Sequence, residues 1–85
     1  MNNIQLTGMS VKRPRRIEVE PRAIGRRIRE IRGFDLTQAE FGSILGVGQA
    51  QLSKCEKGQG LPSIELLIRL SEYSGKSLDW IVRGK

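Results

Sequence analysis

Apolar residues recur at three- and four-residue steps through most of the chain beyond residue 21, and glycines and capping residues divide them into five helices. Ile24, Ile28 and Ile31 form one stripe, with Arg26, Arg27 and Arg29 on the other side. That spacing predicts α1 from about Pro21 or Arg22 to Arg32, with proline suited to the first turn and Gly33 to the stop. Phe34 and Leu36, just beyond, are expected to be core contacts. Phe41 and Leu45, four apart, predict α2 over Gln38–Leu45, opened by a Thr37-x-x-Glu40 capping box and closed by a left-handed Gly46. Leu52 and Cys55, three apart, predict α3 over about Gln49–Lys57. Val47 fills the turn between the two helices, and Gly42 stands where a side chain would hold them apart.

The last third is more apolar than a single stripe requires. Ser63 can cap α4, which carries Ile64, Leu66, Leu67, Ile68, Leu70 and Tyr73 and stops near Gly75. Ile64, Leu67 and Ile68 are expected to face the core with Leu70 alongside, leaving Leu66 and Tyr73 on a neighbouring line. Ser77 caps a short α5, Leu78 to Val82, in which Trp80 and Ile81 either complete the core or cover a twofold partner. The residues before α1 show neither period and contain Gly8, Pro14 and Pro21. They read as an arm, residues 1–21, disordered in the free protein.

Charge and composition narrow what such a bundle does. The 85 residues suffice for one small domain, and the net charge of +6 favours an anionic partner, nucleic acid before a membrane surface. Half of that excess lies in VKRPRRIEVEPR, where Lys12, Arg13, Arg15, Arg16 and Arg22 outnumber Glu18 and Glu20. Arg13, Arg15 and Arg16 are candidates for phosphate or minor-groove contact, against the alternative of a solvated tail. A chain without histidine has no His-based triad or His-ligated metal. Its single cysteine allows no internal disulfide and fits a reducing cytoplasm. No apolar run approaches the roughly 20 residues of a membrane span. Neither an enzyme, a cofactor nor a metal is expected. The exposed side of α3 carries Gln49, Gln51, Ser53 and Lys54, a polar and mostly neutral set suited to base edges in a major groove.

The succession Thr37-Gln38, Gly42, Leu45-Gly46-Val47, Gln49, Leu52 and Glu56-Lys57-Gly58 resembles the lambda-repressor-like helix-turn-helix family, of the Cro and phage-repressor (XRE) type. The resemblance runs from about Ile24 to Lys85. It implies an all-α, compact five-helix domain over residues 22–85, with the helix-turn-helix at α2 and α3. Carried over position by position, it implies that Gln49, Ala50 and Lys54 read bases. Gln38, Gly48, Gln51, Ser53, Lys57 and Gln59 then meet the DNA backbone, and Gln38 also braces the start of α3. Gly48 departs from the usual Ser or Thr cap, at a cost of only a few tenths of a kcal/mol in helix stability. The family's partly buried ion pair falls on Arg32 and Glu56. Leu66, Tyr73, Trp80 and Ile81 are candidates for a dimer surface. The function implied is sequence-specific binding of double-stranded DNA by a homodimer, as a small transcriptional regulator, a repressor before an activator. The alternative is an antitoxin-type module that binds a toxin partner and regulates its own promoter.

Overall fold

The computed structural model describes residues 19–85. Arg13, Arg15, Arg16 and nearly all of the expected arm lie outside the described residues. Among the described residues there are five helices and no strand: α1 Pro21–Arg32, α2 Gln38–Leu45, α3 Gln49–Glu56, α4 Ile64–Ser74 and α5 Leu78–Arg83. Pro21 is the first residue of α1, so the helical domain begins one residue before the boundary expected at 22. None of these helices is long and apolar enough to cross a membrane.

Local chemistry explains the element ends. The Thr37 hydroxyl accepts from the Glu40 amide at 3.1 Å while the Glu40 carboxylate accepts from the Thr37 amide at 2.9 Å, the reciprocal box that opens α2. Ser63 and Ser77 cap α4 and α5 through the amides of Leu66 and Trp80. Gly46 ends α2 in a left-handed conformation, φ 74°. Its amide and that of Val47 bond back to Ser43 and Gly42, turning the chain into α3. A Cβ on Gly42 would lie 2.8 Å from the Val47 carbonyl oxygen, so this turn closes only over a residue without a side chain.

The core consists of Ile24, Ile28, Phe41, Leu45, Leu52, Cys55, Leu66, Leu70 and Ile81. Fully burying a large aliphatic side chain stabilises by about 1.5–3 kcal/mol, and every helix contributes at least one. α1 lies across α3, with Gly25 at the crossing: a Cβ there would meet the Glu56 and Cys55 carbonyl oxygens at 2.5 and 2.6 Å. Arg27, expected to point outward, instead turns its guanidinium onto the end of α5 and donates to the Ile81 and Val82 carbonyls at 3.0 and 3.2 Å. This ties the first helix to the last.

Three apolar expectations are corrected. α4 is rotated from the expected orientation: Leu66 and Leu70 are fully buried, whereas Ile64 and Ile68 are exposed and Leu67 is half-buried. Leu66 therefore belongs to the core and offers nothing to a partner, because Leu66 and Leu70, one turn apart, fall on the side that meets the cluster around Phe41. Ile81 is likewise fully buried, which leaves Tyr73 and Trp80 as the accessible members of the expected dimer surface. Tyr73 stands edge-on to Phe41 at a centroid distance of 5.3 Å, and Lys76 covers Trp80 at 4.8 Å. Phe34, expected in the core, is fully exposed; in the short loop after Gly33 only Leu36 reaches the cluster.

Candidate nucleic-acid interface

The exposed side of α3 is set by what the other side buries. Leu52, Cys55 and Glu56 face inward, so Gln49, Ala50, Gln51 and Lys54 stand in solvent and Ser53 is half-buried. Ala50 and Lys54, one turn apart, share the outermost line. Gln49 lies on the flank of the first turn, in line with Glu56 two turns later. Gly48 occupies the cap with φ −73° and ψ 150°, an ordinary extended conformation, and gives no side-chain acceptor to the first amides of α3. Nothing lies within 4 Å of where its Cβ would stand, so the approach to those amides is open.

The other expected backbone residues surround this tip or its far end. Lys57 ends α3, its amide bonded to the Ser53 carbonyl at 3.0 Å, and its side chain is exposed. Gln59 is exposed, and its amide returns to the Lys54 carbonyl at 2.9 Å, shaping the loop after the helix. A Cβ on Gly58, φ 75°, would meet Arg22 at 2.7–3.0 Å, so the start of α1 rests against this loop.

Beneath the face lies the one buried charged residue among the described core, Glu56. Arg32 grips it with two parallel bonds, Nε to Oε2 and Nη2 to Oε1, each 2.8 Å, and spends Nη1 on the Leu36 carbonyl at 2.9 Å. Gln38 donates its side-chain amide to Oε1 of the same carboxylate at 3.0 Å. The brace from Gln38 thus reaches the end of α3 rather than its start. Burial raises the Glu56 pKa, but the bonds from Arg32 and Gln38 and the charges of Arg32 and Arg29 outweigh it, holding the carboxyl below its ordinary value. The same bond raises the Arg32 pKa further. Burial, with Glu56 nearby, pushes the Cys55 thiol up, so it stays protonated as a small core residue.

A residue that sequence reasoning passed over also positions the motif. Arg69 of α4 donates Nη1 to the Leu45 carbonyl at 3.1 Å, closing the free end of α2, and is itself held by Glu65 at 2.9 Å. An arginine on a helix flank gives no sequence signal for such a contact. Gly25 did give one, being a lone glycine inside a helical pattern. The arrangement is a rigidly held helix presenting amides, a methyl and two lysines, with no cluster among the described residues able to hold a metal ion.

Comparison with known proteins agrees with this geometry. The family model described as Helix-turn-helix matches residues 26–81. No curated protein sequence matches the chain. Among solved structures, the P22 c2 repressor in complex with a synthetic operator is 32% identical, with a TM-score of 0.66 over 73% of this chain and 96% of that one. The N-terminal DNA-binding domain of SinR from Bacillus subtilis is 28% identical, with a TM-score of 0.61 over 71% and 90%. The clp gene regulator ClgR from Corynebacterium glutamicum is 26% identical, with a TM-score of 0.61 over 76% and 86%. The chain belongs to the helix-turn-helix family of the phage-repressor type.

Proposed function

We propose that the protein is a sequence-specific double-stranded DNA-binding regulator that acts by occupying its operator, with no bond chemistry of its own. The observation that carries this reading is the exposed tip of α3, held in place by the Arg32–Glu56–Gln38 network. Gln49 bonds a base edge, with adenine matched to its paired donor and acceptor, while Ala50 offers a methyl to thymine and Lys54 a donor to guanine or phosphate. The amides behind Gly48 and at the start of α2 face phosphates, and Gln38, Gln51, Ser53, Lys57 and Gln59 add backbone contacts. Arg13, Arg15 and Arg16 extend the electrostatic contact beyond the domain. A homodimer places two copies of α3 in successive major grooves about 34 Å apart. Repression follows from exclusion of polymerase, and the function is exercised in the cytoplasm. The regulators among the similar solved structures support this reading over the toxin-binding alternative.

Selection of bound sites from a random duplex pool by the full chain tests it. A single enriched site with twofold symmetry is expected. A pool that stays random after repeated selection contradicts sequence-specific recognition.

A further inference from the structure

The rotation of α4 leaves an apolar ridge outside the core. Ile64 is 72% and Ile68 43% exposed, one turn apart on the outer side of the helix, and Leu61, three residues earlier, is 58% exposed. Single exposed aliphatics are ordinary surface, but three in one line form a contiguous apolar strip of the kind that marks an interaction site. Along one flank of the ridge run Glu65 and Arg69, paired at 2.9 Å, and then Glu72, which has no ion-pair partner among the described residues. α3 packs mainly on α1 and α2, so a molecule covering the outer side of α4 leaves Gln49, Ala50 and Lys54 open.

We propose that this ridge is where a second copy of the chain docks, α4 against α4 in antiparallel orientation about a twofold axis, with Ile64 of one protomer packed on Ile68 of the other. The proposal rests on the dimeric reading above and names its surface. Charge complementarity selects both the occupant and the register. In an antiparallel helix pair related by a twofold, each flank meets the same flank of the other copy, and every contact occurs twice. With Ile64 on the partner's Ile68, Glu65 lies alongside the partner's Arg69 and Arg69 alongside the partner's Glu65. Sliding the partner by one turn, to set Ile68 on Ile68, brings Glu65 beside the partner's Glu72 and the two Arg69 side chains together, which like-charge repulsion disfavours. The face therefore complements itself in one register and opposes the next.

Sedimentation equilibrium on the full chain tests this, with circular dichroism confirming that each variant is folded. Ile68→Asp, which sets two carboxylates against the apolar seam, is expected to weaken self-association by about 100-fold or more. Ile64→Asp gives a second reading should that variant unfold. Glu65→Arg and Arg69→Glu should each weaken it about tenfold alone, since each sets like charges across the twofold. Mixed in equal amounts, the two variants should form a heterodimer close to wild-type strength, because each supplies the charge the other lacks. Wild-type self-association by folded Ile68→Asp and Ile64→Asp, or a mixture that associates no better than its components, overturns the proposal. If such variants still select a twofold-symmetric site, the regulator reading stands and only this surface fails.

Discussion

Arg32 and Glu56 join the last turn of α1 to the last turn of α3 through two parallel 2.8 Å bonds, with the Glu56 side chain only 2% exposed. A buried carboxylate is costly unless its partners stay in place, so this pair acts on orientation as well as stability. It fixes the rotation of α3 about its own axis, and with it the direction in which Ala50 and Lys54 point.

Removing one partner leaves the other charge buried and uncompensated. Arg32→Ala is expected to lower stability by about 3–5 kcal/mol, measured by urea unfolding. Replacing both residues with apolar ones, Arg32→Met with Glu56→Leu, should cost much less than the two single changes together. Additive losses would mean that the two residues act independently.

The pair also makes stability depend on pH. Because the Glu56 pKa is depressed in the folded protein, its contribution is complete above the ordinary carboxylate value of about 4.3 and is lost as pH falls from there toward the folded value. Unfolding free energy measured from pH 7 to pH 3 should therefore hold level and then decline below about pH 4.5. Glu56→Gln should flatten that decline, leaving the smaller, solvent-screened part from Asp79, whose carboxyl is held down by its bond to Arg83.

Gly25 is required by the approach of α1 to α3, where a methyl would press on two carbonyl oxygens at 2.5 and 2.6 Å. Gly25→Ala should destabilise by about 1–3 kcal/mol despite alanine's better helix propensity. Thermal unfolding checks the sign, and a stabilised variant would show that α1 shifts freely.

Gly48 predicts the opposite. Its backbone already has cap geometry and its Cβ direction is open. Gly48→Ser should raise stability by a few tenths of a kcal/mol and tighten DNA binding by supplying a hydroxyl for a phosphate. Parallel melting and binding titrations would show both.

Much of this was legible in the sequence, and the exceptions share a cause. Thr37, Glu40, Gly42 and Gly46 specify the helix-turn-helix through bonds and clearances only a few residues apart, so pattern alone located α2 and the start of α3. The Arg32–Glu56 pair was legible through family resemblance, since no local rule links residues on different helices. α4 was misread because Ile64, Leu66, Leu67, Ile68 and Leu70 supply apolar residues on nearly every side, and only packing against Phe41 decides which stripe turns inward. Phe34 was misread because a loop with one residue to spare can bury either Phe34 or Leu36. Arg27 and Arg69 were illegible as helix-end clamps, because their acceptors are carbonyls more than twenty residues away in sequence.

The most direct test of base reading by α3 is to compare the wild type and Gln49→Ala on the selected site and on random duplex DNA at fixed salt. Loss of about 1–3 kcal/mol on the selected site, with random DNA bound as before and discrimination relaxed at one base pair of each half-site, is the predicted result. Equal weakening on both DNAs would contradict the assignment of Gln49 as a reading residue.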